Sequence, residues 1–191
     1  ATGLANVRTL ALPQLAELLA TPLASAGDRR PLTATWGAAL VRAGLVEARP
    51  PLSQVPATAA VEEALTLTFA RLREATDAEL RALEKRSARA AAVIDRFRDH
   101  RERLEGHLDR HDLLVLAATA VRDGRAEVNE LGPVILHLPR RLGRSDLALL
   151  EALAARTEVV AVLGVTGDPD GDRPLRRLVE QLEPVLGPAL A

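Results

Sequence analysis

Between Glu130 and Arg173 the chain reads ELGPVILHLPRRLGRSDLALLEALAARTEVVAVLGVTGDPDGDR, its most informative stretch. Pro133–Leu138 is a short apolar run bounded by Gly132 and Pro139, the pattern of a buried strand. Ser145 stands where an N-cap is expected, ahead of Leu147, Leu150, Leu153 and Ala154 at helical spacing. Glu158–Val165 is a second run rich in β-branched residues, and it leads to Gly167-Asp168. Strand, helix and strand in this order form a βαβ unit, which predicts parallel strands with both faces covered. Ligands of such sheets gather at the carboxyl ends of the strands. The residues there, Leu138-Pro139 and Gly167-Asp168, therefore decide the chemistry.

Outward from this unit the chain reads mostly as helix. Asn6–Leu12 alternates weakly and predicts a third strand, after which Pro13 opens a short helix carrying Leu15, Leu18 and Leu19. Thr21–Pro31 reads as a connection. Trp36, Leu40, Val41 and Leu45 share a helical face that Pro50-Pro51 interrupts, and Val61, Leu65, Phe69 and Leu72 form the next. Thr76 and Glu79 make a capping box. Ile94, Phe97, Leu104 and Leu108 repeat in an a/d rhythm, and the reading places no strand within Val61–Leu108. Asp112–Val121 is a further helix stopped by Asp123-Gly124, and Pro174 opens a last one through Leu175, Leu178, Val179 and Leu182. The expected architecture is α/β: residues 1–30 and 112–191 form a core of about three parallel strands, and 31–111 an all-helical insertion.

Composition narrows the function classes. Of the 191 residues 48% are hydrophobic, but the longest apolar run falls far short of a membrane span, which predicts a globular chain with no membrane partner. A formal net charge of −1 provides no global attraction to nucleic acid or to a membrane surface. Cysteine is absent, which excludes disulfides, thiolate zinc sites and a cysteine nucleophile and agrees with a cytoplasmic location. No secretory leader opens the chain. Methionine is missing even at position 1, so the chain reads as a segment of something longer.

Most catalytic motifs are lacking. A P-loop needs glycines around the phosphates and a lysine reaching them, whereas the single lysine, Lys85, lies in a helical region without flanking glycines. No nucleophile elbow is present, and Ser25, Ser53, Ser87 and Ser145 read as turn or cap residues. His107 and His111 stand one helical turn apart, yet Leu108 occupies the place of the metalloprotease glutamate, so they read as surface histidines without metal. His137 reads as an interior histidine of the strand. Asp168, Asp170 and Asp172 resemble the D-x-D-G opening of haloacid-dehalogenase-like phosphotransferases, but too little chain follows for that family's lysine and acidic pair. The plainer reading is a turn in which Asp172 caps the helix that Pro174 opens. No cofactor or metal is expected in this segment.

The order of these elements resembles superfamily 1 helicases of the UvrD/RecB kind. In them a strand ends in Asp-Glu, a helix follows, and the next strand ends in Gly-Asp-x-x-Gln. Val7–Leu12 matches their early strand, the middle their helical insertion, and His111-Asp112-Leu113-Leu114 their Asp-Leu-Leu helix. The departures are that Leu138-Pro139 replaces the Walker B acids, the Gln after Gly167-Asp168 is missing, and the P-loop is absent. That pattern of loss, with the phrases GLANVR and LGPVILHLPRRL, resembles actinobacterial PD-(D/E)XK nuclease family proteins related to AddB. The resemblance implies a degenerate P-loop-NTPase-like fold and a non-hydrolysing part in processing DNA ends during recombinational repair. DNA and a helicase or nuclease subunit would be partners, with the nuclease residues and any iron–sulfur cysteines beyond Ala191.

Two other readings stand beside it: a stand-alone α/β protein-interaction module, and a phosphotransferase using Asp168 and Asp170. For a DNA contact the candidates are Arg89, Arg96, Arg103 and Arg110, which recur every seven residues. If one helix continues through Gly106 they line an outward stripe, where guanidinium groups meet phosphates. Interleaved acids such as Asp95 and Asp99 make the alternative a solvated face of paired charges.

Overall fold

Helix begins where the apolar stripes begin. In the computed structural model, which describes residues 7–189, eight α-helices and four short strands are joined by turns, and the chain divides into two compact units. One unit holds the chain up to residue 27 together with 113 onward, and the other holds 28–112. The class is α/β, mostly helical, with two small parallel sheets of two strands each.

In the first unit α1 (Leu12–Ala26) is longer than its sequence pattern implies, because it runs on through Pro22. Leu15, Ala16, Leu19, Ala20 and Ala24 are buried on both sides of that proline, so their packing offsets the missing backbone bond. Helix α6 (Arg110–Arg122) crosses the boundary between the units, and from Leu113 on it buries Leu114, Ala117, Ala118, Ala120 and Val121. The βαβ unit follows as β3 (Val134–His137), α7 (Arg144–Ala154) and β4 (Val159–Val162), with Val134 opposite Val159 and His137 opposite Val162. Helix α8 (Arg173–Leu186) closes the unit. Leu150 of α7 and Leu178 and Leu182 of α8 pack with Leu142, and Leu136, Val159 and Ala161 of the strands lie against them.

Three expectations about this unit are corrected. Residues 7–11 form no strand (Asn6 lies outside the described residues), so β3 and β4 pair without a third partner. Alternation marks a half-buried strand only where a sheet edge is there to receive it. One face alone of the pair is covered, because α7 and α8 both pack on the side of Leu136, Val159 and Ala161: Ile135, His137, Val160 and Val162 are exposed, so His137 is not an interior histidine. Finally, Ser145 is not the N-cap of α7. The cap is Gly143, whose N–H donates to Asp146 Oδ2 at 2.8 Å, which places the buried Ser145 inside the first turn.

The second unit is a set of capped helices. Thr33 caps α2 (Ala34–Val46), Thr58 caps α3 (Ala59–Leu72) and Ser87 caps α5 (Ala88–Arg103). Helix α4 (Asp77–Glu84) has the capping box its sequence implies, with Thr76 N–H to Glu79 Oε2 at 2.7 Å and Glu79 N–H to Thr76 Oγ1 at 3.2 Å. Val41, Phe69, Leu80 and Phe97 form the core, and the two phenyl rings stand 5.8 Å apart between centroids. Two strands absent from the sequence reading, β1 (Arg30–Pro31) and β2 (His107–Leu108), pair in parallel. The second falls within the region read as wholly helical. Helix α5 stops at Arg103, and Gly106 turns the chain at φ +79°, a conformation cheap only for glycine.

Candidate functional site

Leu138-Pro139 lies at the carboxyl end of β3, and Gly167-Asp168 lies in the loop after β4. Leu138 follows β3 directly. Its N–H still donates to Val162 O at 2.9 Å, but its own φ is +46°, a region that costs a branched side chain about 1–2 kcal/mol. Its side chain lies over Gly164, where an added Cβ would come within 3.2 Å of Leu138 Cδ2. Leu138 and Pro139 thus bring hydrocarbon, with neither charge nor metal-binding oxygen from their side chains, to the end of the strand.

Gly167-Asp168 does not end β4. The strand stops at Val162, and 163–166 carry the chain to Gly167, which turns it at φ +82°. Asp172 organises this loop. Its carboxylate accepts Thr166 N–H at 2.9 Å, Thr166 Oγ1–H at 2.8 Å and Gly167 N–H at 3.0 Å. It occupies the N-cap position of α8, as the turn reading supposes, but its side chain points back into the loop and caps nothing. Asp168 Oδ1 accepts Asp170 N–H at 3.1 Å, and Asp170 pairs with Arg173 at 2.6 Å. The three carboxylates therefore build a turn. Donors from Thr166, first the backbone N–H and then the hydroxyl, together with Gly167 N–H, hold the Asp172 carboxyl below the usual carboxylate range.

A depressed acid supports order above its unfolded pKa and loses that support as pH falls through the folded one. Amide protection at Thr166 and Gly167 is therefore expected to persist at neutral pH, to fall on acidification below the ordinary carboxylate range, and to be lost at neutral pH in Asp172→Ala. Unchanged protection in that variant would mean the loop is held by other contacts.

The four arginines do not form one outward stripe. Arg89 is exposed on α5. Arg96 is largely covered and pairs with Asp95 at 2.8 Å and Asp99 at 2.7 Å. Arg103 forms a two-pronged pair with Glu47 beyond the end of α2, which raises its own pKa and lowers that of Glu47. Arg110 begins α6, past the break at Gly106, and is itself engaged. The heptad repeat runs across a helix end, so it does not map to one face. His107 and His111 are likewise separated: His107 lies on β2 with its ring 6.1 Å from Trp36, and His111 Nδ1 is 3.3 Å from Glu74 Oε1.

Sequence reasoning passed over a charged network at the base of α6. Arg73 Nε is 2.7 Å from Asp109 Oδ2, and Arg73 also pairs with Asp112. Asp109 and Asp112 accept each other's backbone N–H groups, at 2.9 Å onto Asp109 and 3.3 Å onto Asp112. Burial pushes the Asp109 carboxyl up, but the Asp112 N–H and Arg73 outweigh it and hold it low. Burial and the neighbouring Asp109 charge raise Asp112. Close by, His100 lies beside Phe69 with Nδ1 buried and lacking a hydrogen-bond partner among the described residues, and burial lowers its pKa. The D-x-x-D spacing ahead of an apolar helix was the available signal, since it places two acids around a helix start. Its arginine partner, far away in the chain, had none.

No described helix is long and apolar enough to cross a membrane. Neither a protein-family model, nor a curated protein, nor a solved structure matches the chain.

Proposed function

We propose that the chain is a non-hydrolysing, helicase-like part of a DNA end-processing nuclease, serving recombinational repair as scaffold and DNA guide. The observation that carries this reading is the parallel pair β3–β4 joined through α7, with Leu138-Pro139 at the end of the first strand and Gly167-Asp168 in the loop after the second. That is the order of the Walker B and Gly-Asp strands in the helicases the sequence resembles, with hydrocarbon in place of the Walker B acids. Gly171 stands where that motif has its glutamine. In this reading the first unit belongs to a degenerate P-loop-NTPase-like sheet and residues 31–111 are its helical insertion.

Phosphoryl transfer from ATP needs Mg²⁺ held by carboxylate at the Walker B strand and a lysine on the β- and γ-phosphates. Leu138-Pro139 cannot hold the ion, and Asp168, Asp170 and Asp172 are engaged in their own turn. The chain is therefore expected to show no ATP turnover above a buffer blank, with or without DNA, while still raising the anisotropy of labelled DNA. Turnover that Asp168→Ala abolishes would replace the scaffold reading with a catalytic one.

A further inference from the structure

Two arginines with no ion pair among the described residues meet at one place in the 28–112 unit. Arg29 and Arg101 line an open, polar pocket of about 240 Å³ together with Arg73, Gly106 and His107. The β1–β2 pairing builds it. Arg30 N–H donates to Gly106 O at 3.1 Å and Leu32 N–H to Leu108 O at 2.8 Å, which sets Arg29 beside the last turn of α5. Arg101 projects from that turn, its guanidinium carbon 5.9 Å from the centroid of the Phe97 ring. Arg73 is already matched by Asp109 and Asp112, so it forms a neutralised wall. Neither Arg29 nor Arg101 has an ion pair among the described residues, and of the lining acids Glu105 opposes them while Asp112 is tied to Arg73.

An aromatic surface borders this pocket. The chain holds three aromatic residues of the Phe, Tyr and Trp kind; Phe69 and Phe97 are in the core, and only Trp36 is exposed, at 47%. Thr33 caps the first turn of α2, its Oγ1 accepting Trp36 N–H at 3.3 Å, and this sets the indole 6.1 Å from the His107 ring that lines the pocket. Leaving the largest apolar side chain half in water has a cost that core packing does not return. Guanidinium groups beside an exposed ring are what an unpaired nucleotide requires, since phosphate takes the donors and the base takes the π-face.

We infer that this pocket binds single-stranded DNA, with Arg29 and Arg101 on backbone phosphate and a neighbouring base stacked on Trp36. The inference rests on the DNA end-processing reading and specifies the form of DNA held. A paired duplex keeps its bases inside the stack, so it can offer Trp36 only a terminal base, whereas a frayed or resected end supplies free ones.

Because Trp36 is the single tryptophan, its emission reports the contact directly. The whole chain is titrated with a dye-labelled oligothymidylate while tryptophan emission and dye anisotropy are read together, with duplex and inorganic phosphate as parallel arms. The inference expects quenching by the single strand, weaker quenching by duplex and none by phosphate. Arg29→Gln with Arg101→Gln is expected to lower single-strand affinity about tenfold and to flatten the slope of log affinity against log salt by about 1.4, at roughly 0.7 per phosphate contact. Both side chains are exposed, so melting should not change, and Trp36→Leu should weaken binding while leaving the salt slope intact. Rising anisotropy with unchanged Trp36 emission and unchanged affinity in the double variant would overturn the pocket and leave the DNA reading standing. No anisotropy change with any DNA would overturn both. Quenching by phosphate equal to that by the oligonucleotide would make this a small-anion site and overturn the single-strand assignment.

Discussion

Phe97→Ala is expected to cost the 28–112 unit about 3–5 kcal/mol, the range for emptying an aromatic position in a closed core. Phe97 is 1% exposed and packs with Val41, Phe69 and Leu80 from three other helices, so no single neighbour can collapse into the space. A small domain has about 5–15 kcal/mol of stability in total, so the loss is a large share of it. Denaturant unfolding followed by amide exchange in α5 measures the effect. Phe97→Leu, which keeps much of the volume, should cost less than half as much. The same ring supports Arg101, so even under conditions where Phe97→Ala stays folded, single-strand affinity should fall. A loss below about 1 kcal/mol would show that Phe97 is not the centre of this unit.

Leu150→Ala should have a comparable effect on the other unit, about 2–5 kcal/mol. Leu150 is fully buried where α7 meets α8, with Leu178, Leu182 and Leu142 around it and the covered face of β3 and β4 against the cluster. Since α7 is the crossover between the two parallel strands, the cavity opens beside the sheet, and exchange should rise at β3 and β4 amides along with α7. Val160→Ala is the control. Val160 lies on the uncovered face, and its truncation should change stability by no more than about 0.5 kcal/mol. Equal losses in the two variants would mean that the face of Val160 is buried in solution.

What the sequence revealed depended on whether local pattern and tertiary partner agreed. The β3–α7–β4 stretch was legible because β-branched runs, punctuated by glycine and proline, coincide with strands that do pair. Residues 7–11 have the alternation and lack the partner, and Pro22 reads as a breaker inside a helix that packing sustains. Strands β1 and β2 are two residues each, and β1 ends in a proline, so no periodicity announces them. Gly106 was the available signal that the a/d rhythm and the arginine repeat cross a helix end, and the apolar spacing concealed it, because Leu104 and Leu108 remain buried after the helix stops. The basic pocket was illegible for a further reason. Arg29 and Arg101 are far apart in sequence and are joined only by the β1–β2 pairing.

On the function proposed above, this chain engages DNA without consuming ATP. Anisotropy of labelled duplex, tailed and single-stranded DNA, titrated with the chain at low and at raised salt while ATP turnover is followed, tests it most directly. The expected result is binding that is equal for unrelated sequences, stronger for tailed and single-stranded forms than for blunt duplex, weaker as salt rises, and silent in ATP turnover. Absence of binding to every form at low salt, or ATP turnover above the blank, would contradict it.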